Sequence, residues 1–201
     1  MEISKERLYQ MSLFTIGGFS FVGFVIIQFL TPHEVLEILL GGDSYVWQFI
    51  TGTSFGVYAA MMAILIIRFT PLKDVKDFYS KMFSGLKLNF PDILFYSLCA
   101  GIGEEILFRG AVQTLAVNWP QVASQPHLGI WIVSLVFVAL HGYINPKDIK
   151  LSIYAFFLVV VSAGMGYLYH YYGLISAIIS HVIFDLVMFG YLIYQQRVGE
   201  L

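Results

Sequence analysis

Six stretches of about twenty predominantly apolar residues, the length that spans a bilayer's hydrocarbon core, divide this chain near 11–30, 46–69, 91–117, 128–145, 151–172 and 174–194. Nothing else in the sequence restricts the fold as tightly. A backbone inside lipid must satisfy its own N–H and C=O groups, so apolar runs of this length form helices. With 58% hydrophobic and only 12% charged residues, the chain has too few polar side chains to cover a soluble domain. The expected fold is all-α: a polytopic membrane helical bundle of about six transmembrane helices, in the lipid bilayer of the plasma (inner) membrane. A formal net charge of -2 argues against nucleic acid as a partner. Cys99 has no second cysteine to pair with, so no intrachain disulfide forms.

The basic residues orient the bundle. Lys5 and Arg7 precede the first stretch, and Arg68, Lys73, Lys76, Lys81 and Lys87 lie at or between the second and third. Lys147 and Lys150 separate the fourth and fifth, and Arg197 follows the sixth. With six crossings all of these fall on one face, which the positive-inside bias assigns to the cytoplasm together with both termini. The first stretch resembles a signal sequence, but QFLTPHEV offers no small-residue cleavage site, and a retained anchor is expected. Between the second and third stretches, Leu72, Val75, Phe78, Met82, Phe83 and Leu86 recur at helical spacing with lysines and aspartates on other faces. That is the pattern of one interfacial amphipathic helix. Gly52 with Gly56, and Gly164 with Gly166, are expected to let helices approach closely.

The remaining basic residue, Arg109, lies inside the third stretch, in GEEILFRG at 103–110. The other ionisable residues within the stretches are Glu104 and Glu105 beside it, His141 in the fourth, and His181 and Asp185 in the sixth. Asp92 and His170 lie at the ends of theirs. A charged residue at a helix centre costs about 2.5–3.5 kcal/mol on the insertion scale. Such a set therefore needs partners and a purpose. Four-residue spacing puts Glu105 and Arg109 on one helix face, and turns Glu104 about 100° away, free for other work. His181 and Asp185 repeat the spacing. Measured along each helix from its outer end, Glu104, His141 and Asp185 fall at comparable depths, while His181 comes out shallower.

A carboxylate and an imidazole converging on one water can deprotonate it for attack on a carbonyl, and a second imidazole opposite can donate to the oxyanion. That chemistry hydrolyses a peptide bond without a covalent intermediate. Neither a GxSxG elbow nor HExxH occurs, and Cys99 has no histidine on its own stretch. Glu104, His141, His181 and Asp185 are also acceptable zinc or manganese ligands, so a metal-dependent site is the alternative to one with no cofactor. Taken singly, each residue has a bland reading: a buried histidine is commonly a hydrogen-bonded core residue, and Glu105 with Arg109 can simply staple helices. A scaffold, however, achieves such packing with apolar contacts. Buried carboxylates also serve proton-coupled transporters, but paired broken segments are missing from the pattern.

EEILFR (Glu104 to Arg109), FVALH (Phe137 to His141) and HVIFD (His181 to Asp185) match EExxxR, FxxxH and HxxxN/D, in that order, on three separate stretches. On these motifs the chain resembles the CAAX prenyl endopeptidase and bacteriocin-processing family of intramembrane proteases, known as CPBP or Abi proteins, over about residues 90–194. The resemblance implies an endopeptidase in which Glu104 and His141 activate water, Glu105 and Arg109 orient the site, and His181 with Asp185 stands at the oxyanion side. It implies a catalytic core at 91–194, preceded by two transmembrane helices and the interfacial helix in 1–90 and followed by a cytoplasmic tail at 195–201. Prenyl-protein members carry asparagine where this chain has Asp185. An ionised aspartate cannot donate a hydrogen bond, so Asp185 is protonated, orients His181, or binds a metal. The implied partner is a peptide or protein substrate near the cytoplasmic membrane face. A non-catalytic immunity or scaffold protein with the same fold is the alternative.

Overall fold

The computed structural model describes residues 4–69, 75, 86, 88–144 and 147–198. Among them every regular element is helical. The order is α1 (Lys5–Leu30), α2 (Val35–Leu40), α3 (Tyr45–Phe69), α4 (90–117), α5 (Pro126–Leu140), α6 (Ile149–Tyr172) and α7 (Leu174–Arg197). Two of these rods contain a π-helical segment, Thr15–Phe19 in α1 and Ile106–Gln113 in α4. By length and apolarity, α1, α3, α6 and α7 are able to cross a membrane. The rod α4 is longer still, but carries Asp92, Glu104, Glu105 and Arg109.

The expected fourth stretch, 128–145, is where the helix boundary differs. Helix α5 ends at Leu140 with His141 as its cap, and Gly142 follows at φ 77°. A glycine in the left-handed region just past the last turn is a common helix stop. At 15 residues the helix is about 22 Å long, short of a ~30 Å hydrocarbon core. His141 therefore sits at the end of a short helix rather than within a span. At the other end of the sequence α7 runs through Arg197, so the expected tail at 195–201 begins as helix.

Sequence signals explain the starts. Asn89 accepts from the Asp92 N–H and Asp92 accepts from the Asn89 N–H, a reciprocal cap with Pro91 in the first turn of α4. The same buried Asp92 pairs with Lys5 at 2.7 Å and accepts from the Tyr9 hydroxyl at 2.6 Å, tying α1 to α4. Farther along, Gly103 meets the backbone of Thr15 and Ile16, so α1 packs directly beside the two glutamates. The expected interfacial helix lies outside the described residues except for Val75 and Leu86, both of which are buried.

Helices α3 and α7 run parallel, and the glycines expected to permit close packing do so. A Cβ at Gly52 would stand 2.5 Å from the Ser176 carbonyl oxygen, and one at Gly56 would stand 2.6 Å from that of Ser180. Gly164 faces the Phe55 ring, and Gly166 faces Gln113 and Ile130. Substituting Gly56→Val is expected to destabilise the protein by about 1–3 kcal/mol through overpacking against main chain. Thermal unfolding in detergent measures this, and an unchanged Tm would mean that the two helices are not in contact.

Candidate active site

All six polar residues anticipated within the stretches meet at one place. Glu105 and Arg109 form its floor, and neither has any exposure. Arg109 Nε donates to Glu105 Oε2 at 3.0 Å, while the other carboxylate oxygen, Oε1, accepts from His181 Nδ1–H at 2.8 Å. One buried carboxylate thus joins the third and sixth anticipated stretches. The two hydrogen bonds satisfy both of its oxygens, as a charge away from water requires.

Above this floor lie Glu104, His141, His181 and Asp185. His141 Nε2 is 3.6 Å from Glu104 Oε2, and His181 Nε2 is 3.9 Å from the same oxygen and 3.6 Å from Asp185 Oδ2. These separations exceed direct hydrogen-bond reach and suit groups that share a bridging water. The side chain of His141 is 36% exposed, against 16% for Asp185 and 14% for Glu104. Solvent therefore reaches this upper layer and not the ion pair beneath it. His141 Nδ1 donates to the Phe137 carbonyl at 2.7 Å, which leaves Nε2 to face Glu104.

The four upper residues line a cavity of about 370 Å³. Its other walls are almost entirely apolar, including Phe137, Leu158, Met165 and Phe184, and it extends past Leu8, in the first turn of α1, and Leu192, near the end of α7. The unequal depths counted along the helices also have a cause. Leu174, the first residue of α7, packs beside Gly110, so α4 continues about 10 Å beyond the point where α7 begins. His181 and Glu105 then meet although their distances from the helix ends differ.

A profile of the family described as Type II CAAX prenyl endopeptidase Rce1-like matches residues 86–187. The chain belongs to this Rce1-like family. The matched region contains all three motifs and every residue of the cluster. Uncharacterized protein YpbD of Bacillus subtilis (strain 168) is 31% identical over 141 residues, which is 68% of this chain and 64% of that protein. The match thus spans less than two thirds of that relative's length. No solved structure matches the chain.

In this Rce1-like chain the sequence did not single out three further side chains at the site. Ser134 on α5 and Ser162 on α6 accept from Arg109, at 3.4 and 2.7 Å. The ring of Phe137 lies 4.5 Å from that of His141, 6.1 Å from that of His181, and 5.5 Å from the Arg109 guanidinium carbon. Phe137 was legible only as a motif letter, and small serines on apolar helices carry no signal until their partner is known. The π-helical segment, which begins directly after Glu105, was not legible either. Extra-residue turns of this kind often occur at functional sites, and here the Thr114 hydroxyl donates to the Arg109 carbonyl five residues back.

Proposed function

We propose that this protein is a metal-independent intramembrane endopeptidase that hydrolyses a peptide bond with water activated by Glu104 and His141. The observation that carries the reading is the convergence of Glu104, His141 and His181 around one cavity. The bare Nε2 of a neutral His141 and an ionised Glu104 are both acceptors, and they face each other at 3.6 Å. A water donating one O–H to each relieves their repulsion and keeps its lone pairs free for attack. Glu104 takes the water's proton as the carbonyl is attacked and later delivers it to the leaving amine.

His181 supplies the opposite side. With both nitrogens protonated, Nδ1–H donates to Glu105 while Nε2–H is left to donate to the developing oxyanion. Asp185, 3.6 Å from Nε2, then balances the imidazolium charge instead of donating itself. That role suits an aspartate where an asparagine would bind the oxyanion directly. The apolar walls favour a substrate with an apolar segment beside the scissile bond, presented from the end of the bundle near Leu8 and Leu192. We place that end at the cytoplasmic face of the plasma membrane, on the strength of the lysine and arginine distribution.

The direct test uses the full chain in lipid vesicles with a library of apolar peptides, read by mass spectrometry. Cleavage is expected to persist after strong chelation. Complete loss, restored by added zinc, would transfer the reaction to a metal held by Glu104, His141, His181 and Asp185.

A further inference from the structure

Arg109 leads the fully buried side chains by size, and it does not line the catalytic cavity. Its guanidinium is instead gripped on three edges by three helices. Nε donates within α4 to Glu105 at 3.0 Å, Nη2 donates to Ser162 Oγ on α6 at 2.7 Å, and Nη1 approaches Ser134 Oγ on α5 at 3.4 Å. The ring of Phe137 lies 5.5 Å from the guanidinium carbon.

A guanidinium is a rigid planar fork, so the direction in which Nε–H points is set by whatever holds its far edge. A bond at Nε alone leaves the plane free to swing about it. A second anchor at Nη2 removes that freedom. The two serines are unequal as anchors. Ser134 already donates to its own helix at the Ile130 carbonyl, 2.8 Å away, and its contact with Nη1 is long. Ser162 makes the short contact, and it is 3% exposed.

We infer that Ser162 is a positioning residue for the hydrolytic reaction, holding His181 in its working orientation through the buried chain Ser162, Arg109, Glu105. The inference rests on the catalytic reading of His181 given above. Each link uses a different atom of the next residue: Nη2 and Nε on Arg109, then Oε2 and Oε1 on Glu105, ending at His181 Nδ1. Without the hydroxyl, the buried Nη2–H loses its acceptor and the fork turns to find another. Glu105 then loses its fixed donor, and the imidazole of His181 loses its fixed acceptor. The ring no longer holds Nε2 over Glu104 and Asp185. Ser162 itself lines the cavity beside Val161 and Met165, but Ser162→Ala adds no bulk, so the apolar walls that receive substrate keep their shape. The defect belongs to turnover and not to substrate capture.

The experiment reads the chain in two ways, with full-length protein in nanodiscs. The first follows solvent exchange of the His181 Nδ1 proton by NMR on nitrogen-15 histidine, assigned by its loss in His181→Gln. Exchange is expected to quicken about tenfold in Ser162→Ala and to stay within about twofold of wild type in Ser134→Ala, on the scale typical of residues that orient a site from behind. Ser162→Thr, which keeps the hydroxyl, is expected to restore slow exchange. The second reading is cleavage of the apolar peptide library, where Ser162→Ala is expected to lower kcat about tenfold with KM unchanged. If Ser162→Ala does not insert, Ser162→Cys supplies the comparison, since a thiol in the same place is only a weak acceptor. Unchanged His181 exchange in these variants, or equal effects of the two serines, overturns the inference. Quickened exchange in a protein whose cleavage ignores Glu104→Gln leaves the positioning chain standing and removes the catalytic reading instead.

Discussion

Glu104→Gln is expected to reduce peptide cleavage about 10³-fold, within the range that general-base groups contribute, while the protein inserts and unfolds as the wild type does. The amide keeps the size of the side chain and its place beside His141 and His181, 3.6 and 3.9 Å away. It cannot accept the water's proton. Because Glu104 makes no direct hydrogen bond to either imidazole at those distances, little of the fold depends on its charge. The side chain is also partly exposed, at 14%, so the change leaves no buried group stranded. Activity and stability should therefore separate cleanly. Cleavage of the peptide library by purified Glu104→Gln at the wild-type rate would leave the fold as a non-catalytic scaffold.

Arg109→Ala should do the opposite, acting first on stability. Glu105 would be left as a carboxylate with no exposure and no cation of fixed charge beside it. Breaking a buried pair in this way destabilises by about 3–5 kcal/mol, enough to lower Tm sharply and to reduce the folded yield in membranes. The hydroxyls of Ser134 and Ser162 would lose their donor at the same time. Pairing the change with Glu105→Gln removes the stranded charge, and the double variant is expected to recover much of the stability without recovering cleavage. Thermal unfolding of the two single variants and the double variant measures this. A mild effect of Arg109→Ala alone would mean that water reaches the pair.

Much of this site could be read from local spacing. Glu105 and Arg109 are four residues apart on one rod and do form an ion pair, and His181 with Asp185 share a face as their spacing requires. The apolar lengths placed helices in all six stretches because bilayer thickness and backbone hydrogen bonding leave a chain few other solutions. What the sequence hid depends on contacts between helices. His181 Nδ1 takes Glu105 as its partner, a residue 76 positions away, and no pattern on α7 announces that choice. The end of α5 was missed because Tyr143 and Ile144 continue the apolar count past Gly142, the residue that stops the helix. The π-helical segment at 106–113 has no compositional mark, since its extra residue per turn is chosen by packing rather than by propensity.

The most direct measurement compares the membrane proteomes of cells carrying the intact protein and cells carrying Glu104→Gln at equal abundance, with every newly formed peptide terminus identified. The expected result is a small set of termini, each beside an apolar segment at the cytoplasmic face, present with the intact protein and missing with the variant. Identical terminus sets in the two cell lines would contradict hydrolysis by this glutamate and its two histidines.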